Sequence, residues 1–279
     1  MSKEKLINAI AKRRAQVGNK KIPKFGLVPR EPKQPEREYE KALTDYVQVF
    51  INMMNDILVP QLDNLYNQAV ALRPDSRADD WSNDLERLLD ATMLSFERRA
   101  PNPRDLSNTA AGEVNEFNKK DFNRVMQSAF GVNVVASEPW LRPQIASFTN
   151  QNVQLIKNIS NDAATQIEGI VQRGFATGAG VGNIKEQIEQ RYAITKRRSQ
   201  LIARDQVSKL NGQLTEYRHK EVGIERYRWV TAGDERVRSS HAELNNKIFS
   251  YNNPPSVGNP GQPVQCRCVA QPLIEGFDE

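Results

Sequence analysis

The amino-acid sequence predicts a mainly α protein, an elongated helical body followed by a small C-terminal α+β module. Three observations predict it. Apolar residues step by threes and fours through most of residues 37–221, whereas alternation with period two begins only after Gly223. The chain is also polar, with 38% hydrophobic and 26% charged residues and a mean hydropathy of −0.65. Such a balance suits long amphipathic helices with much surface better than one thick core. The expected organisation is a basic, proline-rich arm (1–36), a helical body (37–222) and the α+β module (223–279).

The arm carries the charge. Residues 1–41 hold 12 lysines and arginines against 5 acids, and the rest of the chain holds 27 against 29. "KEKLINAIAKRRAQV" fits a short amphipathic helix with Leu6, Ile7, Ile10 and Val17 near one face. "NKKIPKFGLVPREPKQPE" then reads as an extended tether, because its prolines remove donors and fix φ. Lys12, Arg13, Arg14, Lys20, Lys21 and Lys24 are the candidate contacts to an anionic partner, either DNA phosphates or an acidic protein surface. A solvated tail is the competing interpretation. The first residues lack a signal peptide's apolar stretch, and no apolar run reaches the roughly 18–20 residues of a membrane span. A cytoplasmic site of synthesis and no membrane partner are expected.

In the body, Tyr39, Leu43, Tyr46, Val47, Phe50, Ile51, Met54, Ile57, Leu58, Leu62, Leu65 and Tyr66 predict one long helix from Arg37 to Leu72. It should kink near Pro60, whose ring displaces a backbone bond. "RPDSRADD" breaks it, and Asp79 or Asp80 is placed to cap a second helix along Trp81, Leu85, Leu88, Leu89 and Phe96. After "APNPRD", Val114, Phe117, Val125, Met126 and Phe130 mark a third, stopped by Gly131. A fourth, about 141–175, carries Ile145, Phe148, Leu155, Ile156, Ile159, Ile167, Ile170 and Val171. "RGFATGAGVGN" reads as a hinge and not a phosphate loop, since no Lys-Ser/Thr pair follows and no strand precedes. A short helix (183–191) and a longer one (195–221, with Leu201, Val207, Leu210, Leu214 and Tyr217) complete the body.

In the module, "ERYRWVTA" alternates Tyr227, Trp229 and Thr231 against Arg226, Arg228 and Val230, as a half-buried strand does. Asp234 is placed to cap a short helix running to Leu244. "NKIFSY" is a second strand, "NNPPSVGNPGQP" a turn-rich loop and "VQCRCVAQPLI" a third strand.

The module also holds the chemistry-bearing residues. In a strand, Cys266 and Cys268 share a face, and His241 on the neighbouring helix brings a third metal-capable atom, with Asp234 as a candidate fourth. Zinc asks for four such ligands and the inventory barely suffices, so no cofactor is expected, with zinc as the candidate should one be bound. A C-x-C spacing gives an awkward bite, and the alternative is that both cysteines are buried packing residues. No other cofactor motif occurs. Asp234, His241 and Cys266 also allow a hydrolase or toxin-like triad to be drawn, without a turn or helix N-terminus to stabilise a thiolate. His219, in the polar "LTEYRHKE", is expected on the surface. Arg226, Arg228, Arg236 and Arg238 form a basic patch for phosphate or pair with Asp234, Glu235 and Glu243.

The order of these features resembles the phage Mu F-like minor head proteins, the phage head morphogenesis family. The resemblance runs through Ala203–Arg204, Gly223–Ile224, Trp229–Thr231, Asp234–His241 and Cys266–Cys268, and with "WLRPQIASFTNQNVQLIKNI" it covers about 140–272. The family commonly has Thr-Glu where this chain has Asp205-Gln206, and often Gly at the place of Asn246. The resemblance implies a structural, non-catalytic minor component of a tailed-phage capsid, located at the portal vertex of the virion and assembled in the host cytoplasm. It implies a role in head assembly, and in DNA packaging or ejection. The portal protein is the implied partner, with the major capsid or scaffolding protein next. The alternatives are the hydrolase and a DNA-binding ejection protein that works through the arm.

Overall fold

The structure, a computed structural model, describes residues 27–71, 80–130 and 138–273, together with residues 8, 11, 12 and 15 of the arm. Lys12 is helical and exposed. Arg13, Arg14, Lys20, Lys21, Lys24, the apolar arm positions, Asp79 and Gly131 lie outside the described residues.

The helices are α1 (Lys33–Met53), α2 (Leu62–Ala71), α3 (Asp80–Arg99), α4 (Pro103–Phe130), α5 (Leu141–Thr177) and α6 (Val181–Glu221). A three-stranded antiparallel sheet follows, β1 (Arg226–Val230), β2 (Ile248–Ser250) and β3 (Val269–Leu273), in the order β2-β1-β3. A single-turn helix α7 (Ser239–Ala242) lies between β1 and β2. The mostly helical class with a small sheet near the C-terminus is as expected.

Several boundaries differ from expectation, each for a local reason. α1 starts at Lys33, inside the expected tether, because Pro35 falls in a first turn whose N–H groups need no helical partner. At Pro60 the chain passes through a π turn (Met54–Leu58) and a 3₁₀ turn (Val59–Gln61), with the Val59 N–H bonding to the Met54 carbonyl. The wider turn removes the demand for the N–H that proline lacks. The glycine-rich hinge is a short break between α5 and α6, with Gly178 at φ +73°. The two helices expected over 183–221 are one. Arg191 to Thr195 contains no glycine or proline, and the Thr195 hydroxyl donates to the Arg191 carbonyl at 2.9 Å. Leu201 is 46% exposed on this helix and not part of its apolar stripe.

The chain forms two compact units. One, Tyr39–Ser107 with Asn150–Ala203, contains helices and no strand among its described residues. Its core joins Leu43, Tyr46, Phe50, Met54, Leu58 and Leu62 to Leu85, Phe96, Ile156, Ile167 and Ile184. Phe96 stands edge-on to both Tyr46 and Phe50, at 5.1 and 5.6 Å between ring centres. Buried hydroxyls find partners across the unit, as Tyr39 Oη does by donating to Asn152 Oδ1 at 2.9 Å.

The other unit, Met1–Glu38, Asn108–Thr149 and Arg204–Glu279, holds the sheet. Segment 27–32 is pinned on α4: the Arg30 N–H donates to Asp121 Oδ2 at 2.8 Å, and Arg124 Nη2 donates to the Val28 carbonyl at 2.9 Å. On one face of β1, Tyr227 and Trp229 are fully buried with Tyr251, Cys266, Cys268 and Ala270. β1 pairs Trp229 with Ala270 and Tyr227 with Phe249 and Pro272.

The long loop before β3 touches α6 through two glycines. A Cβ on Gly261, whose φ is +89°, would meet the Ser208 carbonyl oxygen at 2.7 Å, and one on Gly212 would meet the Pro260 carbonyl at 2.5 Å. Both obstacles are backbone. Gly261→Ala is therefore expected to cost about 2–4 kcal/mol, combining a left-handed non-glycine residue with overpacking. Urea unfolding followed by tryptophan fluorescence measures it, and an unchanged midpoint would refute the close approach.

Candidate functional site: a histidine and two cysteines beside an arginine-lined cleft

β1, α7 and the segment before β3 bring His241, Cys266 and Cys268 together. All three are buried, at 4%, 3% and 7% exposure. Nδ1 of His241 lies 3.7 Å from Cys266 Sγ and 3.5 Å from Cys268 Sγ. The ligand atoms of the three residues all fall within 4.8 Å of one another. The imidazole stands edge-on to Trp229 at 5.5 Å.

The cysteines are not in a strand, which starts only at Val269. Gln265 takes φ +54°, and the Cys266 N–H bonds to the Pro263 carbonyl at 3.1 Å, so residues 263–266 turn instead of pairing. Asp205, on α6, holds the turn: its Oδ1 accepts from the Gln265 N–H at 2.8 Å and its Oδ2 accepts from Lys209 Nζ at 2.6 Å. Arg238 donates to the Val264 carbonyl. The extended backbone of Cys266-Arg267-Cys268 still alternates, with both thiols inward and Arg267 outward.

Asp234 does not join the three. It sits in an exposed turn, and the helix expected from it to Leu244 is only Ser239–Ala242, with Arg238 as its first cap. Its carboxylate binds Arg267 through two bonds of 2.6 Å. Hydrogen bonding from that guanidinium lowers its pKa. A carboxylate so engaged is in no position to orient His241 as a triad requires. On β1, Arg228 donates to Gln271 Oε1 at 2.8 Å.

Hydrogen bonding between the two thiols lowers the pKa of Cys266, outweighing burial, and raises that of Cys268. A cleft of about 250 Å³ opens beside the three residues. Arg204, Arg236, Arg238 and Arg267 line it with His241, Cys266 and Cys268. Asp205, Arg204 and Arg267 carry no chemistry-bearing pattern of their own in sequence. The only signal pointing to them is their place inside the Ala-Arg and Cys-Arg-Cys motifs.

His219 is a correction. It is 1% exposed, with Nδ1 2.7 Å from Tyr251 Oη and its ring against Phe122 at 5.8 Å. Burial lowers its pKa to about 3, against about 6.5 when solvated. Between those values the unfolded chain binds a proton that the folded chain does not. Stability is therefore whole above about pH 6.5 and falls by about 1.4 kcal/mol per unit as pH drops through the window. Urea midpoints at pH 7, 6 and 5 should fall steeply for the native chain and less for His219→Gln. Equal slopes would refute the assignment.

Residues 165–271 match the family described as Phage Mu protein F like protein, so this stretch is a phage Mu F-like domain of the head morphogenesis family. The chain is similar to an uncharacterized protein of Haemophilus influenzae, 32% identical over 185 residues. That alignment takes in 65% of this chain and 41% of the relative, so the chain spans under half the length of the curated protein it matches. No solved structure matches. The Asn246 that replaces the family's frequent glycine has φ +66°, a conformation glycine adopts freely and asparagine tolerates.

Proposed function

We propose that this protein is a structural minor head protein of a tailed bacteriophage, bound at the portal vertex and acting in head assembly. The single observation that carries the reading is the Mu F-like domain over 165–271. Two features support it. Long amphipathic helices make up most of the described chain, and no described helix is long and apolar enough to cross a membrane. The role is one of docking, with the portal protein as the partner and the major capsid or scaffolding protein as the next candidates. The test is co-expression of the full chain with the portal protein, together with mass spectrometry of purified precursor and mature heads. A portal complex and a few copies per head are expected. Absence from both particle forms would overturn the proposal.

The surplus of positive charge in residues 1–41 favours a second contact, to DNA during packaging or ejection. Phosphate contacts release counterions, so the affinity of the full chain for duplex DNA should fall steeply with salt, and removing residues 1–36 should flatten that slope. A flat slope for the full chain would assign the arm to a protein surface.

A further inference from the structure

We propose that His241 Nδ1, Cys266 Sγ and Cys268 Sγ bind one zinc ion, whose fourth position opens into the arginine-lined cleft. This stands apart from the assembly role and would hold whether or not the chain meets a portal.

The distances support an ion more directly than a hydrogen-bonded trio. In a tetrahedral site with Zn–S near 2.3 Å and Zn–N near 2.0–2.1 Å, the sulfur-to-nitrogen edge is about 3.6 Å. The two edges here are 3.7 and 3.5 Å. Nδ1 has one lone pair or one N–H, so it can make only one good hydrogen bond, yet both sulfurs stand at nearly the same distance. An ion at the centre accounts for both edges at once.

A second observation comes from Trp229. Its indole Nε1 is fully buried and has no hydrogen-bond partner among the described residues. It belongs to the same buried cluster as Cys266 and Cys268. A buried donor in that cluster is placed to support a metal-bound thiolate from outside the ligand set. Two thiolates and a neutral imidazole balance a divalent cation, and the soft donor set selects zinc over magnesium or calcium. On the outward side of the motif, Asp234 binds Arg267 through two bonds. Three protein ligands leave one position, and the residues that would carry the ion also line the cleft. Arg236 and Arg238 there, beside Arg204 and Arg267 in their ion pairs with Glu36 and Asp234, suit water or an oxygen anion such as phosphate as the fourth ligand.

Full-length protein, reduced with a phosphine, is titrated with cobalt(II) alone and assayed for zinc as purified. One equivalent of metal is expected, with a thiolate-to-cobalt charge-transfer band and visible bands of tetrahedral intensity. Cys266→Ser and Cys268→Ser should each weaken binding at least tenfold and roughly halve the charge-transfer intensity. His241→Gln should weaken binding similarly and keep that intensity at saturation. Inorganic phosphate should shift the visible bands. Native protein that takes up less than about a tenth of an equivalent, or that shows no charge-transfer band, overturns the site whatever the variants do. Visible bands indifferent to phosphate overturn the open fourth position.

Discussion

Arg218→Ala is expected to lower unfolding free energy by about 3–5 kcal/mol, because it strips one partner from a buried charged network. The Arg218 side chain is 1% exposed and Nε donates to Glu138 Oε1 at 2.8 Å, while Nη2 donates to Asn115 Oδ1 at 2.6 Å and Nη1 to Asn118 Oδ1. The guanidinium also sits over the Trp140 ring at 5.8 Å, and Trp140 stacks on Tyr217 at 5.0 Å. Alanine leaves the Glu138 carboxylate, 12% exposed, without its counter-charge. Arg218→Lys should recover only part of the loss, since an ammonium cannot reproduce three directed bonds in one plane. Urea unfolding followed by tryptophan fluorescence reads both. A loss under about 1 kcal/mol for the alanine variant would mean that water replaces the network at little cost.

Trp229→Ala is expected to cost about 3–5 kcal/mol, the range for emptying a buried aromatic site. Trp229 is fully buried on the inner face of β1, within ring-contact distance of His241 and Phe249, at 5.5 and 6.4 Å. Trp229→Phe keeps most of the volume and should lose roughly half as much or less. Comparing the two also separates packing from the indole N–H. Near-ultraviolet circular dichroism and the urea midpoint check the ranking, and equal losses for both variants would contradict it.

The helices were legible because their cores repeat at helical spacing. Leu43, Phe50, Leu85, Phe96, Ile156 and Ile167 are buried where period 3.6 puts them. β1 was equally plain, since Tyr227 and Trp229 alternate with arginines and lie buried between half-exposed neighbours. What escaped depends on partners distant in sequence. His219 is flanked by polar residues, and Tyr251 and Phe122, from other segments, pack against it. Between Arg191 and Thr195, Ile194 and Thr195 are β-branched, and a long packed helix overrides their weak helix preference. In the site, the meeting of His241 with the two cysteines was legible from chain order. Its cause was not, because the turn at Gln265 depends on Asp205, reached across 60 residues of chain.

The way the chain threads through its two units has a consequence for synthesis. A ribosome that has delivered Ala203 has made every segment of the helical unit, whereas the sheet-bearing unit still awaits everything from Arg204 onward. The helical unit can condense while translation continues, but the histidine, the thiols and the arginines around them assemble only once the chain through Leu273 has emerged. The stretch that similarity picks out, 165–271, takes part of each unit and omits Asn108–Thr149. What evolution lets one recognise is thus not a piece that could be excised and expected to fold.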